Sequence, residues 1–329
     1  MVLLCLVLVV PAFAQTTLNG AGATFPYPMY SKWFNEYHNA HPDVQINYQS
    51  IGSGGGIRQV LAGTVDFGAS DGPMSDEQLS QAKIKILHIP TVLGAVVPAY
   101  NVSGVSGELR FSPGTIAKIC LGTVSNWNDK AIAADNPSTK LPDKPIILVH
   151  RSDGSGTNYI FTDYLSKISP EWKDKVGKGT SVKWPVGLGA KGNEGVAGMI
   201  RQMDGAFGYV ELIYAVQNKI PYAAIQNSSG AWLKGSLEGA TAAAASVSNM
   251  PADFRVSITN APGKDAYPIS SFTWLLVPVQ SKNPANGKIL VDFLHWMLQS
   301  GEKMTTQLAY APLPDNVSAK VAEAIKQVR

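Results

Sequence analysis

Cysteine is scarce in this sequence of 329 residues, which contains two, Cys5 and Cys120. Cys5 lies in an N-terminal stretch that we expect to be removed, and the one thiol left cannot form an internal disulfide. Cys120 follows Ile116 by four residues on an apolar helix face, which favours a buried side chain that packs as a small hydrophobe. A reactive or metal-bound thiol is the alternative.

Charge is also in short supply. Charged residues make up 16% of the chain, the formal net charge is +3, and lysines and arginines form no run. So small an excess of positive charge gives no support for a nucleic-acid partner. The apolar fraction of 45% is typical of a soluble globular protein, and the length is sufficient for two domains.

One long apolar run is present, and it lies at the N-terminus. Residues 2–14 are almost wholly apolar and end in Ala12-Phe13-Ala14, a pattern of small residues typical of a cleavage site. The run is too short to span a bilayer, so it predicts a secretory signal peptide over residues 1–14, cleaved after Ala14. Lipid attachment at Cys5 is disfavoured, since Leu4 before it is larger than such sites usually tolerate.

The residue patterns of hydrolytic, metal-binding and nucleotide-binding sites are missing. The five histidines are scattered without metal-ligand spacing, and no Walker A sequence is present. Ser155 lies between two glycines, but Asp153 breaks the nucleophile-elbow spacing. The stretch from Gly187 to Gly192 matches the dinucleotide-binding pattern G-x-G-x-x-G. It follows Trp184-Pro185 and not a convincing strand, so a glycine turn into a helix is favoured over a cofactor site. We therefore expect no catalytic residue, no metal and no cofactor.

Predicted strands and helices alternate along the chain, which indicates an α/β architecture. Two long apolar strands, near residues 90–100 and 266–278, bracket the central part of the sequence. This order predicts two lobes with a ligand cleft between them. The first lobe would combine residues 15–90 with 267–329, and the second would comprise residues 91–266.

The most informative stretch is Arg151-Ser-Asp-Gly-Ser-Gly-Thr157. It follows an apolar run at 146–149, predicted to be a buried strand, and precedes a helical pattern over 158–167. A strand that leads through a Gly/Ser loop into a helix leaves free amides at the helix start, which is a natural anion site. Arg151 adds a planar fork of donors, and Asp153 is close enough to orient it. A surface ion pair that contributes little is the alternative.

Two further helix starts share this chemistry, Thr24-Phe25 and Ser53 with the glycines that follow it. Each alone is explained by ordinary capping, because serine, threonine and glycine are common there. Together with Ser155-Gly156-Thr157, they favour an anion site built from several helix starts.

Asp71 ends another short strand and begins a turn, Asp71-Gly72-Pro73. A carboxylate near an anion repels it unless the anion carries a proton to donate. Hydrogen phosphate does so at neutral pH and sulfate does not, and a site built to pair with a ligand proton rejects ligands that lack it. From the local sequence alone, a turn aspartate is the simpler interpretation.

Five stretches carry a resemblance to a known family: Gly20-Ala-Gly-Ala-Thr-Phe-Pro26, Gly52-Ser-Gly-Gly-Gly56, Val65-Asp-Phe-Gly-Ala-Ser-Asp71, Arg151-Ser-Asp-Gly-Ser-Gly-Thr157 and Trp184-Pro-Val-Gly-Leu-Gly189. In combination they are similar to the periplasmic phosphate-binding proteins of phosphate-specific ABC importers, from about residue 17 to the C-terminus. The resemblance implies the type II periplasmic binding-protein fold, in which two crossover strands join two α/β lobes around a ligand cleft.

The resemblance also implies a set of phosphate contacts: Thr24, Phe25 through its backbone N–H, Ser53, Asp71, Arg151, Ser155, Gly156 and Thr157. Asp153 would orient the arginine, and Asp71 would accept the proton of the ligand. His150 stands where the family can have a second arginine. Strand alternation turns its side chain away from that of Arg151.

We therefore expect an exported, periplasmic, monomeric receptor that binds inorganic phosphate and delivers it to the membrane permease of a phosphate ABC transporter. It would perform no chemistry on its ligand and bind no nucleic acid. One alternative is a receptor for another tetrahedral oxyanion such as sulfate. The other is a secreted phosphatase that retains its product, against which the missing metal cluster and base argue.

Overall fold

The structure, a computed structural model, describes residues 15–329, so the predicted signal peptide at 1–14 lies outside the described residues. The strands are β1 (Thr16–Gly22), β2 (Val44–Ser50), β3 (Phe67–Ser70), β4 (Ile86–Asn101), β5 (Arg110–Phe111), β6 (Ile147–Arg151), β7 (Leu188–Ala190), β8 (Ala206–Glu211), β9 (Ala224–Gln226), β10 (Trp232–Leu233) and β11 (Ser270–Pro278).

The helices are α1 (Tyr27–Ala40), α2 (Ser53–Ala62), α3 (Asp76–Ser80), α4 (Pro113–Leu121), α5 (Lys130–Asp135), α6 (Gly156–Ile168), α7 (Pro170–Lys175), α8 (Gly192–Gln202), α9 (Leu212–Gln217), α10 (Leu237–Ala245), α11 (Pro284–Gln299) and α12 (Asp315–Ile325). A 3-10 helix covers Gly301–Leu308. Among residues 15–329, no helix is both long enough and apolar enough to cross a membrane.

Strand β4 joins two mixed sheets. Residues 86–95 pair with β11 in a sheet of order β2-β1-β3-β11-β4, and residues 96–101 pair with β8 in a sheet of order β4-β8-β6-β7. A small third sheet has the order β10-β9-β5. The molecule is therefore a two-lobed α/β protein, as the sequence predicts.

The two sheets direct their loops toward one another. β1, β2 and β3 run parallel in one sheet, and β6, β7 and β8 run parallel in the other. Ligands of open α/β sheets bind beyond the carboxyl ends of such strands. The first turn of α2, which follows β2, contacts the loop that follows β6, since the amide of Gly54 donates to the carbonyl of Gly154 at 2.8 Å. The lobes are therefore closed upon each other.

Two local predictions are confirmed. Ser75 followed three residues later by Gln78 predicts a capping box at a helix start, and the two residues form it reciprocally at the start of α3. Cys120 lies on α4 and is fully buried, and burial raises the pKa of its thiol. A thiol in that setting packs as a hydrophobe and is a poor nucleophile.

Two strand boundaries differ from the prediction. The strand predicted near 90–100 is part of the longer strand β4, which begins at Ile86, because Pro90 and Pro98 pair within it without ending it. Strand β11 begins at Ser270, four residues later than predicted, since residues 266–267 are irregular and residues 268–269 form a turn. The limits of the two lobes stay a prediction. Arg255, from the central part of the chain, also donates to Asp76 and to the carbonyl of Met74.

Candidate anion-binding site

Arg151 is the last residue of β6, and 1% of its side chain is exposed. Its Nε donates to Oδ1 of Asp153 at 2.8 Å, and its Nη2 donates to Oδ2 at 2.6 Å. This two-point pairing fixes the plane of the guanidinium. The alternative of a weak surface ion pair is therefore wrong.

The third guanidinium nitrogen, Nη1, is buried and has no hydrogen-bond partner within residues 15–329. A buried donor left without an acceptor costs about 1–3 kcal/mol, and more when it is charged. The arrangement therefore calls for an acceptor from outside the chain. An anion is the acceptor that suits a guanidinium best.

Asp153 is supported in turn by the segment around β7. Burial tends to raise the pKa of the Asp153 carboxyl, but the bonds from Arg151 and from the amide of Gly192, at 3.1 Å, hold that pKa below its usual range. Gly192 begins α8 with a φ of +73°, which favours glycine. The stretch 187–192 is therefore a glycine turn into a helix, as predicted, although a three-residue strand lies within it.

Asp71 follows β3 directly and is 1% exposed. Its Oδ1 accepts from the hydroxyl of Thr273 at 2.7 Å, whereas its Oδ2 has only a long contact of 3.5 Å with the hydroxyl of Ser53. Burial raises the pKa of this carboxyl to about 7, against lowering influences from Thr273, Arg151 and Ser53. Oδ2 is thus an oxygen with spare acceptor capacity and a strong tendency to bind a proton. The simpler interpretation as a turn aspartate is incomplete.

The predicted helix starts are at the same place. Ser53 begins α2 and is fully buried, and Ser155 caps α6, where its hydroxyl accepts from the amide of Asn158 at 3.0 Å. Thr24 lies two residues before Pro26, which caps α1. Among the described residues, the amide of Phe25 has no acceptor. These groups present hydroxyl hydrogens and amides, all of them donors suited to an anion.

Gly156 lies where the two lobes approach each other closely. A Cβ at this position would lie 2.4 Å from Oδ2 of Asp71 and 2.5 Å from the hydroxyl oxygen of Ser53. The start of α6 therefore abuts the groups that follow β2 and β3. The structure brings Arg151 and Asp71 into one electrostatic environment, because the guanidinium lowers the pKa of that carboxyl.

His150 lies outside this cluster. Its ring stacks on that of Trp184, with centroids 5.0 Å apart and an angle of 7° between the planes. Burial lowers the pKa of the imidazole. The predicted alternation is confirmed, because His150 and Arg151 direct their side chains to different surroundings.

Sequence reasoning missed Asn193 and Glu211. Asn193 lies in the first turn of α8 and is fully buried, and it bonds to both Thr24 and Thr157. Glu211 ends β8, and burial raises the pKa of its carboxyl well above the usual range. Glu211 lies at the carboxyl end of a parallel strand and Asn193 lies just after another, which is the signal that could have identified them. Over residues 15–329, no group of three or more histidine, cysteine or acidic residues could hold a metal ion.

The fold and the site define a two-lobed receptor for a small anion. The PBP superfamily domain matches residues 10–301. The chain belongs to this superfamily and, within it, to the family of the phosphate-binding proteins PstS.

Two curated relatives and one solved structure illustrate the similarity. The phosphate-binding protein PstS of Xylella fastidiosa is 48% identical over 316 residues, covering 94% of this chain and 86% of its own. That of Haemophilus influenzae is 44% identical over 312 residues, covering 94% and 92%. The fold is similar to that of a high-affinity periplasmic phosphate-binding protein, PfluDING, bound with phosphate, with a TM-score of 0.75 and 19% identity over 94% of this chain and 93% of the other.

The raised pKa of Asp71 predicts that the stability of the ligand-free protein depends on pH. The pKa of about 7 in the folded state lies above the ordinary 3.8, so the folded state binds the proton more tightly. The free energy of unfolding should therefore fall as pH rises from about 4 to about 7. Between pH 5 and 8, the free energy of unfolding of the wild type should fall by on the order of 2–4 kcal/mol relative to that of Asp71→Asn. Denaturant unfolding measures both.

Asp174→Asn is the matched control, because Asp174 is exposed on α7 and the substitution removes the same charge. This variant should keep the pH dependence of the wild type. Parallel stability profiles for wild type and Asp71→Asn would contradict the assignment of the proton to Asp71.

Proposed function

We propose that this chain is a receptor that binds inorganic phosphate and delivers it to the membrane permease of an ABC importer. The buried, partnerless Nη1 of Arg151 supports an anion, and the proton-binding carboxyl of Asp71 supports an anion that carries a proton. Hydrogen phosphate meets both requirements at neutral pH. Asp71 is the observation that carries the proposal, since donors alone would also suit sulfate.

Each site residue has a proposed role. Nη1 of Arg151 donates to one phosphate oxygen while Asp153 holds the guanidinium plane. Oδ2 of Asp71 accepts the phosphate proton. The remaining contacts are donors, either hydroxyls or helix-start amides: Thr24, Phe25, Ser53, Ser155, Gly156 and Thr157.

The proposal extends to the setting in which the receptor acts. Its relatives carry the name phosphate-binding protein, and a structure with a similar fold is a periplasmic one. We propose that the mature chain acts in the periplasm after removal of residues 1–14, as a monomer, without catalysis. Over the described residues, the scattered histidines and the absence of a metal cluster give a phosphatase no support.

Selectivity against sulfate tests the role of Asp71. Titrations of the wild type by calorimetry at pH 7.5 should show phosphate binding and a preference over sulfate of roughly 10⁴-fold or more, as expected where a site pairs with a ligand hydrogen. Asp71→Asn should weaken phosphate binding and strengthen sulfate binding, because the amide replaces an acceptor and a negative charge with a donor.

Asp174→Asn again serves as the control for loss of one carboxylate, and it should retain both affinities. Equal affinities of the wild type for phosphate and sulfate would exclude the proton-acceptor role. Preferential binding of sulfate by the wild type would identify the alternative oxyanion receptor.

The geometry of Arg151 generates a second prediction. Arg151→Lys keeps the charge but cannot bond Asp153 at two points and also donate to the ligand from a fixed position. Phosphate affinity should fall by about ten- to hundredfold, which corresponds to the 1.5–3 kcal/mol of a hydrogen bond to a charged group. Calorimetric titration with phosphate measures the loss.

Arg201→Lys provides the matched control, because Arg201 is exposed near the end of α8. Its phosphate affinity should equal that of the wild type. If Arg151→Lys also binds as the wild type does, charge alone suffices and the fixed guanidinium has no special role.

A further inference from the structure

Asn193 bridges the two lobes at the site. Its Nδ2 donates to the hydroxyl oxygen of Thr24 at 2.8 Å and to that of Thr157 at 3.0 Å. Thr24 follows β1 in one sheet, whereas Asn193 and Thr157 follow β7 and β6 in the other. The two hydrogens of one amide thus reach one hydroxyl from each lobe.

The orientation of the Asn193 amide is fixed by a backbone group. Its Oδ1 accepts from the amide of Glu211 at 2.9 Å. A backbone N–H can only donate, so the side-chain oxygen must face Glu211 and the NH₂ group must face the threonines. Asn193 is fully buried, which leaves water no role in satisfying this amide.

The direction of the threonine hydroxyls follows from this arrangement. The oxygen of Thr24 accepts from Nδ2 and also from the backbone N–H of Asn193 at 3.2 Å, which occupies both of its lone pairs. The oxygen of Thr157 accepts from the same Nδ2. Both threonines are buried, and neither hydroxyl donates to an acceptor within residues 15–329. Their hydrogens therefore remain free for a ligand.

We propose that Asn193 is a positioning residue that holds the hydroxyls of Thr24 and Thr157 as donors toward the bound phosphate. A threonine hydroxyl can accept as well as donate, and a lone pair turned to an anion repels it. Asn193 removes that alternative at Thr24, where it occupies both lone pairs, and restricts it at Thr157, where it occupies one. Thr24 lies on the other lobe, so Asn193 holds its hydroxyl only when the lobes are closed. The inference rests on the proposed binding of phosphate.

A thermodynamic cycle tests this role. Asn193→Ala should weaken phosphate binding by about ten- to hundredfold, since two charge-assisted hydrogen bonds lose their fixed donors. In the Thr24→Val/Thr157→Val background, which lacks both hydroxyls, the same substitution should weaken phosphate binding by less than about threefold. The effects of substitutions at interacting residues on the binding free energy are not additive. Calorimetry with inorganic phosphate measures all four proteins.

The energetic coupling between Asn193 and the two threonine hydroxyls distinguishes a positioning role from a purely structural one. If Asn193 acts only by supporting the fold, its loss should weaken binding equally with and without the hydroxyls, and that result would overturn the inference. Thr24→Ser/Thr157→Ser is the matched background, because it keeps both hydroxyls and should retain the full effect of Asn193→Ala.

The outcomes separate the inference from the proposed function. Failure of the wild type to bind phosphate would reject the proposed function itself. Phosphate binding by the wild type with additive effects in the cycle would reject only the positioning role. Denaturant unfolding without phosphate identifies any variant that does not fold, and Asn193→Ser, which shortens the side chain and keeps a polar group, then replaces Asn193→Ala in the cycle.

Discussion

The buried guanidinium of Arg151 is the group on which the rest of the site depends. A cation removed from water must be compensated by partners, and a single missing partner is costly. Asp153 satisfies two of the three nitrogens, which leaves Nη1 buried and without a described partner. In an open cleft, water can reach such a nitrogen. The closed lobes exclude water, so an anion that reaches Nη1 favours closure over opening.

Two carboxyl groups near this arginine have opposite properties, and their surroundings explain the difference. Asp153 receives three hydrogen bonds from Arg151 and Gly192, which together lower its pKa and keep it a carboxylate. Asp71 is buried with one strong and one long hydrogen bond, and burial raises its pKa to about 7. The first group can hold a cation permanently. The second is suited to share a proton with a ligand.

The sequence predicts those parts of the molecule that depend on neighbouring residues. The loop at 151–157, the capping box at Ser75 and the alternation of strands and helices are local patterns, and the structure confirms them. The continuity of β4 is not local. Proline at positions 90 and 98 favours a break, but pairing with β11 on one side and β8 on the other keeps the strand intact. Tertiary pairing overrides propensity there.

Asn193 could not be identified from its own neighbours for the same reason. Its partners Thr24, Thr157 and Glu211 are 169, 36 and 18 residues away, and one of them belongs to the other lobe. A topological rule would have helped, because the residues of the proposed site follow the ends of β1, β2, β3, β6 and β7. The rule requires the strand order, and the three residues of β7 are too short a signal to supply it.

The division of the site between the lobes has a consequence for selectivity. Arg151 ends β6 and α6 starts after it, on one lobe, whereas Asp71 follows β3 on the other. Either lobe alone can recognise only part of a ligand, since the first offers the guanidinium of Arg151 and the second offers, beside its own donors, the acceptor for a proton. In the closed form Gly156 lies against Asp71, so both requirements are imposed on one small ligand at once. An anion without a proton would bring its lone pairs against Asp71 and oppose closure.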